Sequence, residues 1–526
     1  MGGADSLQAK LLKFLGRPEA YGLTDTTVER IETHASIVFL GGERAYKVKR
    51  AVKYPFLDFS TLKKRHAACL NELRVNRRTA PRLYLDVIPV ALGGDGVLRL
   101  GGEGEAVEWV LRMRRFDQSR LYDRMAEQGR LSVEAMQPLA ETIAKFHASA
   151  DRVLSPDRAV PALDAVLGDN EASFAAAPEI IPGVAARKFT ARSREWLGMV
   201  APLLEARARN GYVRHCHGDL HLRNIVELDG APVLFDAIEF DDRLATIDVL
   251  YDLAFLLMDL GKRGLGAHAN RLLNAYLDAD PDTGNLLGLA ALPLFLAMRA
   301  AIRAKVELLR AGSLTQSAGD LARDEARDSA RAYFELARRL LVPSRPRLIA
   351  IGGLSGSGKS AVARAIAPFI GAFPGAVHVR SDVERKRLFG VAPQQRLPSS
   401  AYTQEVSDLV YAMCRKRARL ALEGGQPVIL DAVHAKPEER AAVAALAAEL
   451  GASFTGLWLE APPEILRARV AARKGDVSDA TPEVVDAQLS YATGAQDFAR
   501  IDAGLPFAEV VASCLGRLGV EPRKTP

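Results

Sequence analysis

Leu348-Ile349-Ala350-Ile351-Gly352-Gly353-Leu354-Ser355-Gly356-Ser357-Gly358-Lys359-Ser360 decides the fold of the second half of this 526-residue chain. The apolar residues read as a buried strand, Gly353 to Ser360 spell G-x-x-x-x-G-K-S, and Ala361 to Ile370 return to a helical pattern. A strand, a glycine loop and a helix in that order make a cradle for phosphate. Glycines let backbone N–H groups and the helix N-terminus turn toward the anion, the lysine adds positive charge, and the hydroxyl reaches a magnesium ion. Gly353, Ser355, Gly356, Ser357, Gly358, Lys359 and Ser360 are the expected cradle, with Ser360 also a metal ligand.

Downstream, strands alternate with helices, which predicts a parallel α/β sheet. Val377 to Arg380 reads as a strand ending at Ser381-Asp382 and is followed by the basic Arg385-Lys386-Arg387. Asp382 stands where a general base would meet an acceptor hydroxyl, although a helix cap would place an aspartate there too. Pro427 to Leu430 is a strand ending at Asp431, a carboxylate for the magnesium shell. After Pro462-Pro463, Arg467, Arg469 and Arg473 lie on or near one helical face before Gly475 to Ala480. That stretch suits a lid in which Arg473 neutralises transferred phosphate, or else a solvated face.

Upstream, Pro343-Ser344-Arg345-Pro346 breaks the pattern between a long charged helix and the strand Leu348 to Ile351. We therefore expect two domains, residues 1–343 and 347–526. In the first, about 25–115 reads as strand-rich, with turns at Gly41-Gly42 and Gly93-Gly94, and about 120–342 as mostly helical.

The first domain has its own chemistry-bearing run, His215-Cys216-His217-Gly218-Asp219-Leu220-His221-Leu222-Arg223-Asn224, followed twelve residues after the asparagine by Asp236. In phosphoryl transfer one carboxylate accepts the proton of the attacking hydroxyl, while an amide oxygen and a second carboxylate hold magnesium against the nucleotide phosphates. Asp219 suits the first role, Asn224 and Asp236 the second. Arg44 to Lys49 is an alternating strand behind a Gly-Gly turn, the context of a phosphate-binding lysine. Lys47 fits that place; Lys49 points to the same face and stays open as the alternative. Glu72, in the helical pattern Leu62 to Arg78, is the candidate to orient the lysine through an ion pair. A metal cluster of His215, Cys216, His217 and His221 does not match the common zinc spacings.

Composition narrows the class. With 48% apolar and 25% charged residues and a net charge of +6, the chain is that of an ordinary globular protein, and charge alone does not imply nucleic acid. Cys69, Cys216, Cys414 and Cys514 are far apart with no CxxC, as suits a reducing cytoplasm. The apolar run Leu286 to Met298 is shorter than the roughly 20 residues a spanning helix needs and reads as a buried helix, so no membrane is expected.

On His217-Gly218-Asp219 to Asn224, Leu234-Phe235-Asp236 and Asp248 to Ala254, residues from about 25 to 340 resemble the aminoglycoside phosphotransferase and choline-kinase-like family. The resemblance implies a bilobal protein-kinase-like α+β fold, ATP between the lobes with its adenine near Met113 to Phe116, and a hydroxyl-bearing small-molecule acceptor. Two features depart from the protein-kinase pattern: Glu32 to Gly42 contains no G-x-G-x-x-G, and Asp236-Ala237-Ile238 replaces D-F-G. On Gly353 to Ser360, Ser381-Asp382, Asp431 and Arg473 to Ala480, the second half resembles P-loop kinases such as gluconate kinase, chloramphenicol phosphotransferase and zeta toxins. That resemblance implies a P-loop α/β fold and ATP-dependent phosphorylation of a small molecule. The leading expectation is a bifunctional kinase using ATP and Mg2+. Its rivals are a chain in which the first half is a regulatory pseudokinase, and an ATP-responsive, toxin-like switch.

Overall fold

The computed structural model describes residues 2–24, 27–33, 35–54, 57–280, 282–313, 320–343, 345–473, 477–491, 493–495 and 497–521. The chain forms two compact units. One comprises Met1–Ser132, Lys145–Val153 and Val213–Asp252; the other comprises Val133–Ala144, Leu154–Tyr212 and Leu253–Pro526.

The first unit is built on a six-stranded antiparallel sheet, in the order Glu29–Glu32, Ser36–Gly41, Arg44–Lys49, Glu105–Arg114, Tyr84–Leu92, Leu98–Leu100. Strand alternation sends Ile37, Phe39, Tyr46, Val48, Val90 and Val110 into one core with Leu11 and Leu15 of the helix Gly2–Leu15. On the other side, Leu73 of the helix Leu62–Asn76 packs with Leu83, Tyr84 and Leu111. Thr61 starts that helix by accepting from Lys64 N at 3.3 Å, a hydroxyl N-cap. A β-hairpin, Ile225–Leu228 with Ala231–Leu234, turns on Asp229 and Gly230, both at positive φ as a tight hairpin turn requires.

The second unit combines long helices with a five-stranded, wholly parallel sheet. Its strand order is Val377–Arg380, Val428–Asp431, Arg347–Gly352, Ser453–Glu460, Ala499–Asp502. Ile349, Ile351, Ile429, Leu457 and Ile501 form its core with Val362, Ile366, Val510 and Leu515 of flanking helices. The first strand in the chain is central and the next two lie on one side of it, so the connections reverse at its C-terminal end, where open α/β sheets bind ligands. The apolar stretch Gly284–Gly312 is long and apolar enough to cross a membrane by composition, yet 83% of its most apolar window is buried in the fold, as in a core helix.

Candidate active sites

In the strand Arg44–Lys49, Tyr46 and Val48 face the core, so Lys47 and Lys49 share the opposite face. Both reach Glu72, whose side chain is fully buried: Lys47 Nζ is 2.7 Å from Oε1 and Lys49 Nζ 2.5 Å from Oε2. Beyond that they diverge. Lys47 Nζ also lies 2.7 Å from Asp236 Oδ1, whereas Lys49 turns to Glu239. Burial alone would lower the Lys47 ammonium, but Asp236 and Glu72 outweigh it and hold it well above its ordinary value. Burial likewise works to raise the Glu72 carboxyl, yet Lys47 and Lys49 hold it down at about 2.

The loop after the strand Val213–His215 is anchored from below by Asp252. Its fully buried carboxylate accepts from His217 N at 3.1 Å and Gly218 N at 2.9 Å, and faces His147 Nε2 at 3.2 Å. This leaves Asp219 at the surface of the loop, 38% exposed, with His221 Nε2 3.3 Å from its Oδ2. Asn224 Nδ2 donates to Asp219 O at 2.9 Å and to its Oδ2 at 3.0 Å. Asp236 takes a left-handed φ of 60°, held by its N–H to Tyr84 Oη at 3.1 Å and by Ala237 N to Asn76 Oδ1 at 2.8 Å. The structure thus brings Lys47, Glu72 and Asp236 together by direct contact, and Asp219 with Asn224. The three histidines of the run go separate ways: His215 turns to Arg78 and Asp242, His217 Nε2 to Phe235 O at 3.0 Å, and His221 to Asp219, while Cys216 lies with His147 and Asp252, their ligand atoms all within 4.8 Å of one another.

The second site lies at the C-terminal end of the parallel sheet, in a cavity of about 980 Å3. The loop from Ser355 to Ser360 lines it, together with Asp382, Asp431, Arg469 and Arg473. Gly353, outside the lining, has a φ of 139° and a backbone so close to its neighbours that a Cβ would stand 2.4 Å from Leu459 O. Gly358, at φ 88°, caps the helix Lys359–Ile366, whose N-terminus opens on the cavity. Lys359 Nζ donates to Leu354 O at 3.0 Å; burial lowers its pKa, while Asp431 and Asp382 act against the shift. Ser360 Oγ donates to Asp431 Oδ2 at 2.5 Å. His378 Nε2 is 3.2 Å from that oxygen and Arg380 Nε 3.9 Å. Burial would raise the Asp431 carboxyl; the hydrogen bond from His378 and the charges of His378, Lys359 and Arg380 hold it below the usual range.

Asp382 lies in the first turn of the helix Ser381–Leu388 and lines the cavity. Of the three arginines expected on a lid, Arg469 and Arg473 line the cavity, but Arg467 does not: its Nε pairs with Asp486 at 2.7 Å on the exposed side. Residues 474–476 of the expected lid lie outside the described residues.

An antiparallel lobe with a lysine paired to a buried glutamate, and a parallel sheet with a glycine-rich loop at its C-terminal end, together with two matching family profiles, define the class: a phosphotransferase made of two kinase-type parts. The profile of the phosphotransferase enzyme family matches residues 41–287, and that of an AAA domain matches residues 348–494. The first half of the chain thus belongs to the phosphotransferase enzyme family, with the P-loop domain fused behind it. Uncharacterised proteins of Mycobacterium tuberculosis and Mycobacterium bovis are 31% identical to it over 503 residues, covering 93% of this chain and 95% of theirs. Among solved structures, a choline/ethanolamine kinase family protein from Mesorhizobium loti is 14% identical and covers 64% of this chain and 98% of its own, with a TM-score of 0.37. A gluconokinase from Sinorhizobium meliloti is 22% identical over 33% of this chain and 92% of its own, with a TM-score of 0.25.

Sequence reasoning passed over several residues now seen at the sites: Tyr84 and Asn76 under Asp236, Glu239 on Lys49, and His378 on Asp431. Only His378 had a usable signal. It stands two residues before Arg380 in one strand and therefore shares its face.

Proposed function

We propose that each half transfers the γ-phosphate of ATP to a hydroxyl group of a small molecule, the two catalytic modules dividing near residues 343–347. In the first, Lys47, oriented by Glu72, meets the nucleotide phosphates, Asp219 takes the proton of the acceptor hydroxyl, and Asn224 and Asp236 hold magnesium. In the second, Gly353, Ser355, Gly356, Ser357, Gly358, Lys359 and Ser360 cradle the phosphates. There Asp382 is the base, Ser360 and Asp431 hold magnesium, and Arg473 meets the transferred group. The donor sets fit that ion. Ser360 Oγ and Asp431 Oδ2 are hard oxygens 2.5 Å apart, and Asn224, its Nδ2 spent on Asp219, keeps its amide oxygen for a cation. Held by these residues, magnesium would supply charge neutralisation for the transferred phosphate. ATP as donor accords with a cytoplasmic enzyme.

One observation supports the reading: each half sets a lysine near a carboxylate, Lys47 directly on Asp236, and Lys359 lining one cavity with Asp431.

At the second centre, Arg385 favours an acceptor that bears a negative group. It is buried, stacked on Tyr402 at 4.8 Å, and donates to Ala401 O at 2.6 Å and Ser407 Oγ at 3.3 Å. No carboxylate pairs with it among the described residues, and it lies one helical turn beyond Asp382. Labelled ATP with a panel of sugars, hydroxy acids and aminoglycosides tests the function on wild type, Asp219→Ala and Lys359→Ala. Each substitution should cut transfer at its own centre by about a hundredfold or more. Transfer that survives both together would refute the proposal.

A further inference from the structure

We propose that Asn270 and Asn274 of the helix Gly266–Ala279 are positioning residues of the P-loop centre, holding the Asp431 carboxylate in place through His378. This rests on the reading of Asp431 as the magnesium carboxylate of that centre.

The strand Val377–Arg380 is the edge of the parallel sheet, paired on one side with Val428–Asp431. Its other side would present unpaired N–H and C=O groups. Two side-chain amides occupy that side as a further strand would. Asn270 Nδ2 donates to Pro374 O and to Ala376 O, each at 3.1 Å. Asn274 Nδ2 donates to Ala376 O at 3.1 Å, and its Oδ1 accepts from His378 N at 2.7 Å. The two asparagines are four apart and so share one face of their helix, and Asn274 Nδ2 also meets Asn270 Oδ1 at 3.2 Å. Both are buried, as is His378. The neighbouring backbone is fitted to them: at Gly375, φ 107°, a Cβ would stand 2.9 Å from Asn270 Nδ2.

What this edge delivers is chemistry. His378 and Arg380 share a face of the strand, and both converge on Asp431 Oδ2, the oxygen that takes the Ser360 hydroxyl. A buried carboxylate with such partners keeps its orientation only while the strand keeps its place, and the amides of Asn270 and Asn274 set that place.

The same helix braces the base as well. Carbonyls in its last turn lack helical partners. Leu277 O accepts from Arg417 Nη2 at 3.1 Å and Asp278 O from Arg387 Nη2 at 3.0 Å. Both arginines pair with buried Glu384, Arg417 Nε at 3.1 Å, and Glu384 is on the short helix whose first turn holds Asp382. One helix that precedes the break at Pro343 thereby steadies both the metal carboxylate and the candidate base of the centre that follows it.

The test uses the full chain with Lys47→Ala, which removes nucleotide uptake at the first centre, and calorimetric titration of a non-hydrolysable ATP analogue at a series of Mg2+ concentrations. Asn274→Ala should raise the half-saturating Mg2+ by about tenfold or more, as loss of support behind a metal ligand does, and leave metal-free nucleotide binding unchanged. An amide that only covers a sheet edge would lower the unfolding midpoint without moving the Mg2+ dependence, and that result overturns the proposal. Should Asn274→Ala not fold, His378→Gln gives the same readout, because its backbone N–H still meets Asn274; an unchanged Mg2+ requirement there overturns the proposal equally. In the same background Lys359→Ala must abolish uptake. Uptake that persists would refute the P-loop reading itself, and this inference with it.

Discussion

Lys47 and Asp236, 189 residues apart in the chain, meet at 2.7 Å. The contact exists because Glu72 holds the lysine from one side while Tyr84 and Asn76 hold the backbone around Asp236 from the other. It separates the two lysines that alternation places on one face.

Lys47→Ala should reduce transfer at the first centre by about a hundredfold. Lys49→Ala should act mainly on stability, because it strips a buried carboxylate pair of one cation, a loss of about 3–5 kcal/mol in such settings. Nucleotide titration and denaturant unfolding of the two variants check this. Nucleotide uptake lost in Lys49→Ala and kept in Lys47→Ala would reverse the assignment.

The Glu72 carboxyl, held at about 2 against an ordinary 4.5, gives a pH signature. A depressed carboxylate stabilises the fold fully above its unfolded value and loses that contribution as pH falls toward the folded one. Stability should therefore decline between pH 4.5 and about 2 more steeply in wild type than in Glu72→Gln. Unfolding curves across that window measure it, and equal slopes would contradict the ion-pair picture.

Asp382→Asn should leave nucleotide uptake at the P-loop intact and lower transfer there by about a hundredfold to ten-thousandfold, the usual worth of a general base. A variant that still turns over at the wild-type rate would assign Asp382 to helix capping instead.

Arg385→Met should cost little stability or even add some, since a buried cation that pairs with no carboxylate among the described residues is unfavourable. The same change should weaken protection of the protein by sulfate or pyrophosphate against thermal unfolding. If the anions protect the variant as well as wild type, Arg385 is not part of an anion-binding site.

The glycine-rich loop Gly353 to Ser360, the run from His217 to Asn224 and the break at Pro343 are each contiguous, and the chemistry proposed for the first two is read from spacing. Backbone N–H groups that must surround one phosphate have to be neighbours in the chain, and a strand, loop and helix bring them together with no help from elsewhere. The parallel sheet followed from the same alternation of strands and helices. Sequence alone thus determined the class of fold and singled out the candidate segments that it presents. Tertiary structure alone decided the partners. That Lys47 and not Lys49 meets Asp236, that Arg467 turns outward, and that Asn274 stands behind His378 depend on how helices seat against sheets. Such contacts join residues far apart in the chain, so they leave no periodicity or motif to read; burial and hydrogen-bond satisfaction across whole elements select them.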